Sequence, residues 1–105
     1  MCGIVGILSK TGENVVPLVG SMLSSIACRG PDGAAIATAE QIVQTDSVDN
    51  LHKHELRSSE AALGHVRLAI VGGTCEQQPF RSCDGRFIVE HNGEIYNYKE
   101  LRSKL

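Results

Sequence analysis

The apolar and polar positions along the chain follow two different patterns. Residues 4–8 form a β-branched apolar run followed by Ser-Lys-Thr-Gly, which predicts a strand that ends in a turn. Over residues 14–27 the apolar positions recur at steps of three and four, and Pro17 suits a first helical turn. This second pattern predicts one amphipathic helix whose apolar side belongs to the core.

Beyond this helix the pattern is that of short strands and turns. Residues 34–38 and 41–45 predict the two strands of a hairpin, and the long apolar run 61–71 predicts a buried strand. A further strand is expected at residues 86–91, just before the turn pair Asn-Gly. The polar stretch 46–60 has little pattern and predicts a loop or irregular turns.

The last residues return to helical spacing. Tyr98, Leu101 and Leu105 share one face, so a second helix is predicted from Asn97 onward. This helix reaches the last residue without a glycine or proline that would stop it, and we therefore expect a truncated domain. The alternative is a short native helix that frays into solvent.

Composition and charge exclude several classes of function. The 105 residues, 42% of them apolar, suffice for one small domain. A formal charge of -2 and scattered basic residues make a nucleic-acid partner a poor prediction. The sequence has neither an apolar run of membrane-spanning length nor the pattern of a secretory signal, so we expect a cytoplasmic protein without membrane contact.

The cysteines and two of the histidines do not suggest a metal site. The cysteine spacing lacks Cys-x-x-Cys pairs, and disulfides are rare in cytosolic chains, so neither zinc nor a disulfide is predicted. Cys28, Cys75 and Cys83 are interpreted as buried or loop thiols without a chemical task. His52 and His54 lie in a polar stretch and are predicted to be solvated.

Cys2 is the candidate nucleophile. Removal of Met1 would leave a thiol and a free α-amine on one residue. The amine titrates near pH ~8 and the thiol near ~8.5, so the amine can accept the thiol proton without a separate histidine. This combination suggests acyl transfer from an amide. The alternative is that Cys2 is only a small residue after the initiator.

Three further segments carry candidate chemistry. They are Arg-Gly-Pro-Asp-Gly at 29–33, Gly-His-Val-Arg-Leu-Ala-Ile-Val at 64–71, and His-Asn-Gly-Glu-Ile-Tyr-Asn at 91–97. Each one alone is compatible with a loop, a structural ion pair or a tight turn. Their joint order after a penultimate cysteine indicates a common site.

With these motifs the chain resembles the class II glutamine amidotransferases of the N-terminal-nucleophile type. Cys-Gly-Ile-Val-Gly at 2–6 is shared by the superfamily, whereas the three later motifs and Gln-Gln-Pro at 77–79 favour the glutaminase domain of glutamine-hydrolysing asparagine synthetases. The resemblance implies an α+β fold with antiparallel sheets layered between helices, four layers (αββα) in a complete domain. Residues 1–105 would be the N-terminal part of that domain.

The resemblance also implies a reaction and a set of site residues. Glutamine would be hydrolysed to glutamate and ammonia through a thioester on Cys2, and the ammonia transferred to an acceptor such as aspartate. Asn92 through its side-chain amide and Gly93 through its backbone N–H would form the oxyanion hole. Arg67 would bind the substrate carboxylate and Glu94 would lie near the ammonium. Further substrate contacts are expected from Leu68, Ala69, Ile70 and Val71.

Other implications concern what accompanies the site. The loop 29–33 is expected beside it in a supporting role, and His65 and His91 are predicted to be packed, hydrogen-bonded strand residues. No cofactor is expected in this chain; ATP and magnesium would belong to a synthetase domain or subunit that accepts the ammonia. Without the family's later acidic segment and remaining strands, an apolar sheet face would be exposed. The alternative function is a non-catalytic fragment or a regulatory glutamine-binding or interaction module.

Overall fold

The short apolar runs form antiparallel strands, and the amphipathic segment between the first two of them forms a helix. The computed structural model describes residues 1–69 and 77–105. The elements are, in chain order, β1 (Gly3–Leu8), α1 (Val16–Ser25), β2 (Ala34–Ala37), β3 (Ile42–Thr45), β4 (Ala61–Val66), β5 (Phe80–Arg81), β6 (Ile88–Val89) and α2 (Tyr98–Arg102). Two 3₁₀ turns, Ala27–Arg29 and Val48–Lys53, complete the connections.

A four-stranded antiparallel sheet in the order β1-β4-β2-β3 is the centre of the described chain. Gly3 of β1 lies opposite Val66 of β4, and Val66 lies opposite Ala34 of β2 on its other side. The start of β1 and the end of β4 therefore meet at one end of the sheet. This register brings Cys2 and Arg67, which extend the two strands by one residue each, to the same place.

The core lies between one face of this sheet and α1. Val19 and Leu23 of α1 are fully buried against a cluster that includes Ile36 and Val66. Burial of such side chains is the main source of stability in a small domain. At the start of the helix the side-chain oxygen of Asn14 accepts the Val16 N–H at 3.2 Å, which satisfies one of the unpaired donors of the first turn.

The opposite face of the sheet has a different character. Because side chains alternate along a strand, His65 shares this face with its cross-strand neighbours Ile4 and Ala35. Ile4 is 45% exposed and Leu8, further along β1, is 70% exposed. Apolar side chains of β1 thus face solvent on the side away from α1.

Residues 77–105 form a second region with little packing of its own. The β5–β6 ladder contains two residue pairs, and α2 has five residues, none of them buried. Arg81 anchors this region by donating hydrogen bonds to the carbonyl oxygens of Thr38 and Ala39 at 3.3 and 3.1 Å. Polar contacts therefore attach this region to the turn between β2 and β3, and Pro79 adds a fully buried side chain.

The predicted fold class is confirmed, since antiparallel strands and separate helices make an α+β structure. The first strand, the first helix, the β2–β3 hairpin and a helix starting near Asn97 are also confirmed in type. In the predicted loop 46–60 the structure has 3₁₀ turns. None of the helices within residues 1–69 and 77–105 has the length and apolar content required of a membrane span.

Two predicted strands are too long. The strand predicted for 61–71 ends at Val66, because the Arg67 N–H donates to Gly33 and the Arg67 carbonyl accepts from Asp32, so this residue pairs with a loop instead. Positions 70 and 71 lie outside the described residues. The strand predicted for 86–91 contains only Ile88–Val89, since β5 offers only two residues for pairing.

Candidate active site

A cleft of about 330 Å³ opens at the end of the sheet where β1 begins and β4 ends. One wall comes from the sheet and the other from the region 77–105. The residues that line it are Cys2, His65, Arg67, Leu68, Gln78, Phe80, His91, Gly93, Glu94, Ile95 and Tyr98. A larger groove of about 530 Å³ lies between α1 and the second 3₁₀ turn and includes none of the predicted site residues.

Cys2 is held at the mouth of β1 by the residue that follows Arg67. The Leu68 N–H donates a hydrogen bond to the Cys2 sulfur at 3.4 Å, and the thiol donates to the Leu68 carbonyl oxygen at 3.7 Å. The Cys2 carbonyl oxygen accepts from Nε of Arg29 at 3.3 Å. These two contacts fix the position of the sulfur beside Leu68. Met1, by contrast, is 72% exposed.

The loop 29–33 supports this end of the sheet. The N–H of Asp32 donates to the Arg67 carbonyl at 2.9 Å, and the Asp32 carboxylate accepts the N–H of Ala69 at 2.9 Å. A side chain at Gly30 would place its Cβ 2.4 Å from the backbone carbon of Val66, so only glycine permits this close approach. The loop lies beside the cleft, as predicted, and these contacts orient the chain from 67 to 69.

Arg67 and His65 line the sheet side of the cleft, and both are buried. His65 is only 1% exposed, and neither ring nitrogen has a hydrogen-bond partner within the described ranges. Burial, and to a smaller degree the neighbouring Arg67 charge, lower the pKa of His65, so the ring is neutral at pH 7. His65 is packed as predicted, but the prediction that it is hydrogen-bonded is wrong. An unpaired buried polar group costs about 1–3 kcal/mol.

The opposite wall is held in place by Gln78. Its Nε2 donates to the His91 carbonyl oxygen at 3.0 Å, while its Oε1 accepts the His91 N–H. The side-chain amide thus takes both hydrogen bonds that a neighbouring strand would make. The His91 ring lies over Gly93, where an added Cβ would be 2.8 Å from Nε2 of the ring. The prediction of His91 as a packed strand residue is wrong, since β6 ends at Val89 and His91 is exposed.

Gln77 connects this wall to the sheet. Its Nε2 donates to the carbonyl oxygens of Ala34 and Thr45, both at 2.9 Å, and its own carbonyl accepts from Nε2 of Gln44. Gln77 and Gln78 together form what we call the glutamine clamp, which joins β2 and β3 to the turn after β6. From sequence, this pair was interpreted only as a loop and a family motif. Two adjacent amides before a proline were the available signal.

The structure brings together part of the predicted site. Cys2, Arg67, Leu68, Gly93 and Glu94 line one cleft, although they come from distant parts of the sequence. Asn92 is exposed and Ala69 donates its N–H to the loop 29–33; neither is among the lining residues in the described structure. Ile70 and Val71 lie outside the described residues. Lining residues that sequence reasoning did not select are His65, Gln78, Phe80, His91, Ile95 and Tyr98.

The remaining titratable and metal-ligating groups add little chemistry to the cleft. Burial raises the pKa of Glu90 to about 7, and its Oε2 has no hydrogen-bond partner among the described residues. Cys28 and Cys83 are exposed thiols, and His52 and His54 are exposed as predicted. Within residues 1–69 and 77–105, no group of three or more His, Cys, Asp or Glu side chains could hold a metal ion.

Comparison with known proteins points to one family. Residues 47–105 match the family model described as a glutamine amidotransferase domain. The whole chain is 35% identical to part of a glutamine–fructose-6-phosphate aminotransferase (isomerizing) of Leifsonia xyli subsp. xyli, covering 19% of that protein. It is also 34% identical to part of an amidophosphoribosyltransferase of Archaeoglobus fulgidus, covering 25% of that protein. No solved structure matches the chain.

A further glutamine–fructose-6-phosphate aminotransferase (isomerizing), from Bradyrhizobium diazoefficiens, is 38% identical over the whole chain and 18% of its own length. The chain therefore spans about a fifth to a quarter of the length of these relatives. Their similarity includes the residues around Cys2, because each alignment covers the full chain.

Proposed function

The chain belongs to the class II, N-terminal-nucleophile family of glutamine amidotransferase domains, and from this premise we propose that Cys2 hydrolyses glutamine to glutamate and ammonia. The observation that carries the proposal is the single cleft that joins the Cys2 thiol, the Arg67 guanidinium and the Glu94 carboxylate. A nucleophile, a cation and an anion in one cleft match the three parts of glutamine: its side-chain amide, its α-carboxylate and its α-ammonium.

Substrate binding follows from these charges. The planar guanidinium of Arg67 binds the α-carboxylate through two parallel hydrogen bonds, and its burial strengthens this interaction. Glu94, on the opposite wall, receives the α-ammonium. With the two charged groups bound, the side-chain amide extends toward the sulfur. Leu68, Ala69, Ile70 and Val71 continue the chain beside Arg67 and supply backbone contacts to the substrate in this proposal.

The chemical step begins once Met1 has been removed. The α-amine of Cys2 takes the thiol proton, and the sulfur attacks the amide carbon to form a tetrahedral oxyanion. The Gly93 N–H and the Asn92 amide stabilise that oxyanion; each such donor is worth about 100- to 1000-fold in rate. The C–N bond then breaks, ammonia leaves with the transferred proton, and water hydrolyses the thioester to glutamate.

The acceptor of the ammonia belongs to the proposal as well. The motifs at 29–33, 67–71, 77–79 and 91–97 favour asparagine synthesis, in which a synthetase domain or subunit with ATP and magnesium would amidate aspartate in the cytoplasm. The relatives' names point to fructose 6-phosphate or phosphoribosyl acceptors instead. Transfer of ammonia to aspartate, to fructose 6-phosphate or to a phosphoribosyl acceptor would in each case follow the same glutaminase step.

A second candidate function is glutamine binding without turnover. The exposure of Asn92 favours it, because an oxyanion hole needs that amide inside the cleft. In this case the chain would act as a regulatory or interaction module of the same fold. The two candidates differ in one observable, the release of ammonia.

The deciding experiment measures ammonia release and glutamine binding by the 105-residue chain after mass spectrometry has established the loss of Met1. We expect Cys2→Ala to abolish ammonia release while glutamine still binds. Arg67→Ala removes a bidentate charge-assisted contact and should raise the KM for glutamine about 100-fold. Cys28→Ala, at an exposed thiol, is the matched control and should leave turnover unchanged.

Two results would contradict this picture. Undiminished ammonia release by Cys2→Ala would exclude the mechanism. Glutamine binding by the wild-type chain without any ammonia release would favour the second candidate function.

A further inference from the structure

His65 combines three properties that a purely structural residue would not need. It lies on β4 with its side chain on the face away from α1, and Arg67 follows directly after the end of this strand. It lines the cleft with Cys2 and Arg67. It is almost completely buried, yet neither Nδ1 nor Nε2 has a hydrogen-bond partner among the residues that the structure describes.

A buried imidazole without a hydrogen-bond partner destabilises the fold at this position. The cross-strand neighbours of His65 are Ile4 and Ala35, so an apolar side chain would suit the local packing. Buried polar groups in folded proteins nearly always have a partner, and an exception requires an explanation. A partner that enters through the cleft is the explanation that the lining residues offer.

The protonation state limits what that partner can be. Burial and the Arg67 charge lower the pKa of His65, so at pH 7 the ring has one N–H donor and one bare nitrogen. A neutral donor beside a cation suits an anion that the cation already attracts. His65 and Arg67 line the same cleft, so one carboxylate bound there can contact both side chains.

We propose that His65 is a substrate-binding residue that donates its ring N–H to the α-carboxylate of glutamine held at Arg67. The inference rests on the proposed function and extends it by one residue. A carboxylate has about four lone-pair sites, of which a bidentate guanidinium occupies two. His65 occupies a third, and it thereby selects substrates that carry an α-carboxylate.

The test compares His65→Leu and His65→Gln in a Cys2→Ala background, so that binding is measured without turnover. The ligands are glutamine and 4-aminobutanamide, which is glutamine without its α-carboxylate. We expect His65→Leu to weaken glutamine binding about tenfold, the loss of one hydrogen bond to a charged group, and to leave 4-aminobutanamide binding unchanged. His65→Gln keeps a donor and should recover part of the affinity.

Thermal unfolding distinguishes a role of His65 in substrate binding from a role in the stability of the fold. Because leucine removes two unpaired buried nitrogens, His65→Leu should unfold at the same or a higher temperature than the parent. A variant that binds more weakly and is no less stable supports the proposal. A fall in melting temperature with equal losses for both ligands would overturn it, since His65 would then support the fold alone.

The outcome is distinguishable from failure of the proposed function. Unchanged glutamine affinity in His65→Leu would overturn the role of His65 while ammonia release by the protein with Cys2 intact continued to support the glutaminase. Binding that depends on His65 in a protein that releases no ammonia would support the inference and contradict the hydrolysis. Absence of glutamine binding in the Cys2→Ala parent, together with absence of ammonia release by the protein with Cys2 intact, would overturn both.

Discussion

The region 1–69 and the region 77–105 hold their parts of the cleft by different means. In the first region Val19, Leu23 and Val66 are completely buried between α1 and the sheet. In the second, α2 has no buried residue and Tyr96 is 93% exposed. Packing positions the first region, whereas the second combines one fully buried side chain, Pro79, with hydrogen bonds from the glutamine clamp and from Arg81.

This difference divides the proposed site. Cys2, Arg67 and His65, the proposed nucleophile and carboxylate-binding residues, lie on or next to the packed sheet. Gly93 and Glu94, the proposed oxyanion donor and ammonium-binding acid, belong to the attached region. A typical hydrogen bond contributes about 1 kcal/mol net, much less than a well-packed core side chain. We therefore expect the wall that carries Gly93 to open at a lower free energy than the wall that carries Cys2.

The largest loss of stability is expected from substitution of Gly30. Gly30→Ala places a Cβ 2.4 Å from the Val66 backbone carbon, where no flexible side chain can yield. We expect the free energy of unfolding to fall by about 3 kcal/mol and ammonia release to fall with it. Urea unfolding followed by circular dichroism measures the first quantity. An unchanged unfolding midpoint would show that the loop 29–33 is not packed on β4 as described.

Gly20→Ala is the matched control for this substitution. Gly20 lies in α1, and an added Cβ would have no other atom within 4 Å. Alanine is the better helix former by roughly 1 kcal/mol, so this variant should unfold at a higher urea concentration. Opposite signs for the two variants would show that the effect at Gly30 comes from close packing.

Gln78→Ala tests whether the glutamine clamp holds Gly93 in position at the cleft. It removes both hydrogen bonds to His91 and should lower kcat about tenfold, because Gly93 loses its position, while the KM for glutamine changes little. Gln41→Ala is the matched control, since the Gln41 amide makes the same kind of two-bond contact with Glu55 and Arg57. Equal losses of kcat in both variants would contradict a role specific to the cleft.

Glu90→Gln gives the smallest expected effect, and its size depends on pH. The folded-state pKa of about 7 lies above the ordinary value of 4.5, so stability falls as pH rises through this window. Removal of the charge should therefore stabilise the protein at pH 8, by about 1 kcal/mol after allowance for solvent contact, and have little effect at pH 4. Glu55→Gln, at an exposed position, is the control.

Thermal unfolding at the two pH values measures this difference between Glu90→Gln and the parent. His65 acts in the opposite direction, because its pKa is lowered and stability is lost as pH falls below about 6.5. This contribution is common to variant and parent and cancels in the comparison. A pH-independent difference would mean that the Glu90 carboxyl is solvated.

Local patterns were sufficient for most of the secondary structure. The three- and four-residue spacing of α1 and the β-branched apolar run of β1 were visible without tertiary information, because both are patterns of neighbouring residues. The end of β4 was not visible. Arg67 continues an apolar run, and only the loop 29–33, which takes its N–H and carbonyl, ends the strand pairing.

The candidate site shows the same limit. Cys2, Arg67, Gly93 and Glu94 could be selected from sequence, because nucleophiles and charged groups in recognisable motifs are local features. The roles of Gln77 and Gln78 could not be inferred from sequence, since a side-chain amide in a loop has many possible hydrogen-bond partners. The partner of Gln77 in β2 is 43 residues away in the chain.

By itself, the sequence determined the family, most of the helices and strands and the candidate nucleophile, because periodicity and short motifs are properties of neighbouring residues. Only the tertiary structure decided which polar groups are hydrogen-bonded to each other. Among the described residues the buried His65 ring has no hydrogen-bond partner, and the His91 backbone is hydrogen-bonded to the side-chain amide of Gln78. Hydrogen-bond partners depend on the distance and direction between atoms, and only the folded chain sets these for residues far apart in sequence.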